Sequence, residues 1–122
     1  MLWRHAPTAS NLGGVVQGTL DVGLDDFGLR RARWAADCLV SSVIPRGLEG
    51  PAPVRIYSSP LQRAVQTAQA LAEIVDADVV IDDAFRQRSY GVWEGLSWEQ
   101  VRRDWPDEFA RREAGLDPDI AG

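Results

Sequence analysis

The chain is poor in the residues that most often announce chemistry. Its 122 residues include one cysteine and one histidine. A single cysteine, Cys38, excludes an internal disulfide and suits a reducing, cytoplasmic compartment. It lies in an apolar helical pattern, where packing is the expected role. With one histidine, no cysteine pair and no motif at metal-ligand spacing, neither a metal site nor a cofactor is expected. No run of 18 apolar residues occurs, so no membrane helix is expected, and the N-terminus carries no signal-peptide pattern. Positive charge is scarce as well. Thirteen basic residues against 18 acidic ones leave a formal net charge of −5, which argues against a nucleic-acid partner. The pairs Arg86 and Arg88, Arg102 and Arg103, and Arg111 and Arg112 sit among acids and read as solvated helix faces. There is no internal repeat and no low-complexity tract.

What is there is the composition of a soluble globular protein, 45% hydrophobic and 25% charged, long enough for one domain over residues 1–122. After a loop over 12–24 broken by Gly13, Gly14, Gly18 and Gly23, Asp25 or Asp26 can cap a helix. Leu29, Ala32, Ala36, Leu39, Val40 and Val43 recur there at helical spacing. Pro45 and Gly47 stop it, and 45–53 reads as a surface loop. Val54 to Tyr57 is a short strand. Ser59 as N-cap with Pro60 at the first helical position predicts a second helix, lined by Leu61, Ala64, Val65, Ala68, Leu71 and Val75. Val79 to Ile81 is the next strand, followed by a charged, aromatic loop over 82–95. Ser97 and Gln100 form a capping-box pattern for a helix to about Trp105. Pro106 starts another short helix that ends by Gly115, and 116–122 is loop-like. Strand, helix, strand, helix predicts an α/β fold with a mainly parallel sheet.

The stretch with most chemical content is Leu2-Trp3-Arg4-His5-Ala6-Pro7-Thr8-Ala9-Ser10-Asn11. A strand ending in Arg-His and then turning puts both side chains at a sheet edge, where open α/β folds bind ligands. Arginine offers a planar fork of donors to phosphate oxygens. Its charge disfavours imidazolium and keeps the ring neutral and nucleophilic, and histidine can form covalent intermediates. Met1-Leu2-Trp3 is short for a central strand, which leads us to expect further apolar residues upstream. In isolation Arg63 reads as an exposed arginine on an amphipathic helix. Trp93, Trp98 and Trp105 read as packing.

Three motifs, in order, resemble the signatures of the histidine phosphatase superfamily, the phosphoglycerate mutase-like proteins. The first is Arg4-His5-Ala6-x-Thr8-x-x-Asn11 with Gln17-Gly18 and Leu24-x-x-x-Gly28. The second is Ser58-Ser59-Pro60-Leu61-x-Arg63-Ala64-x-x-Thr67-Ala68, and the third Tyr90-Gly91-x-Trp93-Glu94-Gly95. The resemblance implies a three-layer fold, a mainly parallel sheet with helices on both faces, here incomplete: the N-terminal portion of a larger domain with both ends trimmed. It implies phosphomonoester hydrolysis through a phosphohistidine on His5. Arg4 and Arg63 would clamp the phosphoryl oxygens, where transition-state charge collects. Thr8 and Asn11 would donate to phosphate, and Gly18 would let the backbone approach it closely. The expected partner is a small phosphorylated substrate.

Two departures shape the alternatives. The family's proton-donating glutamate falls at Gln87, and an amide is not a general acid. Loss of acid catalysis typically removes about 10²–10⁴ in rate. Glu94, Asp82 or Asp83 are the carboxylates that would have to substitute, though Glu94 reads more simply as a loop carboxylate paired with an arginine. The family's second histidine, in a His-Gly turn, does not occur in these residues. Mutase-type phosphoryl transfer and a catalytically impaired binder of phosphorylated ligands therefore stand beside the phosphatase. Substrate identity and oligomeric state are not legible.

Overall fold

A computed structural model of the chain describes residues 1–42 and 54–122. Two compact units make up the described chain. One comprises Met1–Ala9 and Asp21–Arg86, the other Ser10–Leu20 and Gln87–Gly122.

The first unit is built on a βαβ crossover. Strand β1 (Ile56–Ser58) runs parallel to β2 (Val79–Ile81), with Ile56 opposite Val79 and Ser58 opposite Ile81. Between them lies a 14-residue helix, Gln62–Val75, called α3 here. Helix α2 (Asp26–Ser42) packs against α3. The core they share is rich in small residues: Ala32 and Ala36 from α2 and Ala68, Ala70 and Ala72 from α3, with Leu71, Ala6, Leu24 and Ile56 completing it. Small side chains let two helices approach closely, and Gly28 takes this furthest. A Cβ added there would lie 2.3 Å from the Pro7 carbonyl oxygen. The turn after His5 thus lies directly against the first turn of α2.

Helix α2 is capped as its sequence predicts. The Asp25 carboxylate accepts the Gly28 N–H at 2.7 Å, satisfying one of the amides that a helix start leaves without a partner. Helix α3 differs from expectation. It begins at Gln62 rather than at Pro60, and Ser59 is not its cap. The Ser59 hydroxyl instead accepts the Leu61 N–H in a local turn at 3.3 Å. The first helical amide, on Gln62, donates to the Asp21 carboxylate at 2.6 Å. The strand expected from Val54 starts two residues later, because β2 supplies only three residues for it to pair with. No strand forms at residues 1–5. Met1 and Leu2 are exposed. Cys38, expected to pack, is an exposed free thiol on the outer face of α2. The expected helix residue Val43, its stop at Pro45 and Gly47, and the loop over 45–53 lie outside the described residues.

The second unit has its own core, formed by Val16, Trp93 and Val101 with Tyr90, Leu96, Trp98, Trp105, Phe109 and Ile120 around them. The tryptophans are packing residues, and Trp93 is fully buried. A one-turn helix α1 (Ala9–Leu12) leads into this unit. Helix α4 (Trp98–Asp104) carries the expected capping box: the Ser97 hydroxyl accepts from the Gln100 N–H and the Gln100 side chain accepts from the Ser97 N–H. Helix α5 (Pro106–Glu113) starts on its proline. The tail is pinned rather than loose, since Val92 N–H donates to the Ala121 carbonyl and Arg88 pairs with Asp117. Among the described residues no helix is long and apolar enough to cross a membrane.

Candidate active site

His5 lies in the first unit, half-buried, between exposed Arg4 and buried Ala6. Its Nδ1 is 2.7 Å from the Ala6 carbonyl oxygen. A carbonyl only accepts, so Nδ1 carries the proton and the lone pair of a neutral ring sits on Nε2. Burial pushes the imidazole below its ordinary value of 6.5. The bond to Ala6 opposes the shift, and the positive charges of Arg63 and Arg4 add to it. The result at neutral pH is an uncharged ring with a defined tautomer and two guanidinium groups nearby. A neutral ring in this tautomer has the chemistry of a nucleophile at Nε2, and positive charge beside it suits an anionic electrophile.

Arg63 stands in the first turn of α3, and it is 1% exposed. The amphipathic-face reading of this residue is therefore wrong: α3 turns its arginine inward. Thr67, one turn further along, is also buried. Its hydroxyl oxygen accepts the Ala6 N–H at 2.9 Å and its proton goes to the Arg63 carbonyl at 2.7 Å. Thr8 is fully buried. Arg4, His5, Thr8 and Arg63 thus share the first unit, and the turn carrying His5 is bonded to the helix carrying Arg63.

Asn11, Gly18 and Gln87 belong to the second unit. Asn11 and Gln87 are exposed and Gly18 is buried. Gly18 has φ +52, a left-handed conformation that glycine adopts at little cost. A Cβ added there would lie 2.1 Å from Glu94 Oε1. Glu94 is the organising side chain of this loop pair. Its Oε1 accepts the backbone N–H groups of Thr19 at 2.8 Å and Tyr90 at 2.9 Å. The Thr19 hydroxyl lies 2.9 Å from Oε2, and the Ser89 hydroxyl donates to Oε1 at 3.3 Å. Among the described residues no arginine pairs with it, contrary to the sequence reading; amides of its own loops take the place of a cation. Desolvation pushes the Glu94 carboxyl up, but the bonds from Thr19, Tyr90 and Ser89 outweigh it and hold it below its ordinary 4.5. A carboxylate so held is a poor proton donor at neutral pH. Asp82 accepts from the Ala84 N–H and Asp83 pairs with Arg86, so both are committed to local turns.

Asp21, Thr67 and the Glu94 clasp are the parts that sequence reading missed. Thr67 stood in a quoted motif without a role. Asp21 and Glu94 act on residues far along the chain, which no local pattern reports. Among the described residues no cluster of three His, Cys, Asp or Glu side chains is placed to hold a metal. A crevice of about 560 Å³ in the second unit, lined by Trp98, Glu99, Arg102, Arg103 and Phe109, contains none of the expected site residues.

The family model described as "Histidine phosphatase superfamily (branch 1)" matches residues 1–121. Phosphoserine phosphatase 1 of Hydrogenobacter thermophilus is 32% identical over 111 residues, 91% of this chain and 48% of the relative. Glucosyl-3-phosphoglycerate phosphatase of Mycolicibacterium vanbaalenii is 35% identical over 101 residues, 83% of this chain and 41% of the relative. A solved mycobacterial glucosyl-3-phosphoglycerate phosphatase in complex with VO3 superposes with a TM-score of 0.77 at 34% identity, covering 93% of this chain and 53% of that one. The chain spans about half the length of the curated relatives it matches.

Proposed function

The chain belongs to the histidine phosphatase superfamily, branch 1, and from that premise we propose that it serves hydrolysis of small phosphomonoesters through a phosphohistidine at His5. The observation that carries this reading is the state of His5: neutral, with Nδ1–H bound to the Ala6 carbonyl, Nε2 available and two arginines nearby. In the first step Nε2 attacks phosphorus and the ester P–O bond breaks. The leaving oxygen departs with the bonding pair and takes a proton from solvent water. In the second step water attacks phosphorus, the N–P bond breaks, and Nε2 recovers its lone pair. Arg4 and Arg63 neutralise the phosphoryl oxygens in both steps, and Thr8 donates to them. Asn11 and Gly18 enter the proposal as phosphate-binding residues on the strength of their motif. A cytoplasmic setting, expected from the single cysteine, belongs to the same reading.

The relatives' names, phosphoserine phosphatase and glucosyl-3-phosphoglycerate phosphatase, point to small carboxylate-bearing phosphomonoesters as the first substrates to assay. The weak point of the chemistry is protonation of the leaving oxygen. Gln87 is an amide, and Glu94 is held as a carboxylate by the amides of Thr19 and Tyr90. This favours, as a second reading, a protein that binds phosphorylated ligands and turns over only those with good leaving groups.

The deciding test is an assay with an aryl phosphate, whose leaving group needs little protonation, on this chain and on the longest form its gene encodes. His5→Ala should abolish both turnover and acid-labile phosphoenzyme. Turnover undiminished in that variant would sink the proposal. Gln87→Glu should raise the rate on alkyl phosphates by about 10²–10⁴ if the acid alone is missing; phosphate binding without turnover in either form would favour the second reading.

A further inference from the structure

The Thr67 hydroxyl lies between two backbone groups that belong to the site. A helical threonine commonly satisfies its proton on the carbonyl four residues back, and Thr67 does so on Arg63 at 2.7 Å. Its oxygen also accepts the N–H of Ala6, 61 residues away in sequence, at 2.9 Å. The hydroxyl has a single proton and the Arg63 carbonyl can only accept, so the direction of both bonds is fixed. Thr67 is 2% exposed, and water does not compete for either partner. The carbonyl of the same Ala6 takes the His5 Nδ1–H. Ala6 is therefore held at both polar groups, its N–H by α3 and its C=O by the imidazole.

We propose that Thr67 is a positioning residue for phosphoryl transfer: by tying the Ala6 peptide to the first turn of α3, it sets the orientation of the His5 ring and its separation from Arg63. The inference rests on the reading of His5 as the nucleophile. Its chemical content is registry. A nucleophile displaced by about 1 Å loses on the order of 10²-fold in rate, and the Ala6 tether is the bond that prevents such a shift. Valine at this position keeps the shape, removes both bonds and leaves the Ala6 N–H buried without a partner. Serine keeps the hydroxyl and loses only a methyl group.

His5 is the sole histidine, so its ring signals in an NMR titration of the 122-residue chain are unambiguous. Thr67→Val should move the His5 titration toward 6.5, weaken binding of inorganic phosphate about tenfold, the scale of one misaligned hydrogen bond, and cut aryl phosphate turnover about 100-fold. Thr67→Ser should restore all three to near the wild-type values. A valine variant with a lowered melting temperature but an unchanged His5 titration and phosphate affinity would assign Thr67 to stability alone and overturn the proposal. If the valine variant does not fold, the wild type decides. The Ala6 amide should exchange with solvent as slowly as the α3 amides, and fast exchange would overturn the tether. Failure of the phosphatase reading registers separately, as absence of phosphohistidine in the wild type.

Discussion

With His5 as the proposed nucleophile, one proton governs both activity and stability. Its pKa is lowered in the folded chain, so between that value and 6.5 the unfolded chain binds more protons than the folded one. The stabilisation is complete above 6.5 and is lost as pH falls below it. The acid limb of kcat/KM should accordingly lie below 6.5, and His5→Gln should flatten the loss of stability as pH falls below 6.5. A pH-rate profile and melting curves on the acid side of 6.5 check both. Gly28 makes a second residue-scale prediction. Because a Cβ there meets the Pro7 carbonyl at 2.3 Å, Gly28→Ala should destabilise by about 1–3 kcal/mol, measured by denaturant titration. At this scale the sequence was most legible where a residue type is scarce. One histidine next to an arginine, in a recognisable motif, pointed to His5. Its tautomer was not legible, because that depends on where the Ala6 carbonyl points. The burial of Arg63 was not legible either, because an amphipathic pattern does not say which face a lone arginine takes.

Local signals set the elements, and distant ones set their ends. The Ser97–Gln100 capping box was legible because both partners lie within one helical turn. Ser97→Ala should cost about 1 kcal/mol and lower the melting temperature. The start of α3 was misplaced because its first amide is satisfied by Asp21, which no local pattern connects to Gln62. Asp21→Ala should therefore destabilise by about 1 kcal/mol, whereas Ser59→Ala should matter less; paired melting curves separate the two caps. The loops around Glu94 follow the same rule. Glu94→Ala removes the acceptor shared by the Thr19 and Tyr90 amides, so those two amides should lose protection from hydrogen exchange together. Glu94→Gln keeps one carbonyl oxygen and should preserve most of it. The depressed Glu94 pKa adds stability that is present above 4.5 and lost as pH falls below it.

At the scale of the chain, strand–helix alternation was enough for the α/β class and for the parallel pairing of β1 with β2. The two units were not legible, because the second is assembled from Ser10–Leu20 and Gln87–Gly122, segments separated by 66 residues of the first. Composition carries no mark of such discontinuity. Val80 and Ile81 of β2 are about half exposed, as are Tyr57 and Phe85, so a short strand presents apolar side chains and backbone at a sheet edge. Edges of this kind invite pairing between chains, against which a net charge of −5 acts weakly at physiological salt. The 122-residue chain should self-associate as concentration rises, and Ile81→Lys should suppress this with little change in melting temperature. Light scattering across a concentration series measures it.

The contact between Gly18 and Glu94 also bears on how these residues can vary. A side chain at position 18 would occupy the space of the Glu94 carboxylate, while shortening position 94 strips the Thr19 and Tyr90 amides of their acceptor. Each single change is penalised, and no substitution at one site makes the other free of cost, since φ +52 still disfavours an L-residue at 18. The two positions form an evolutionary lock: descendants of this sequence should keep both, and a variant holding only one should be rare among viable ones.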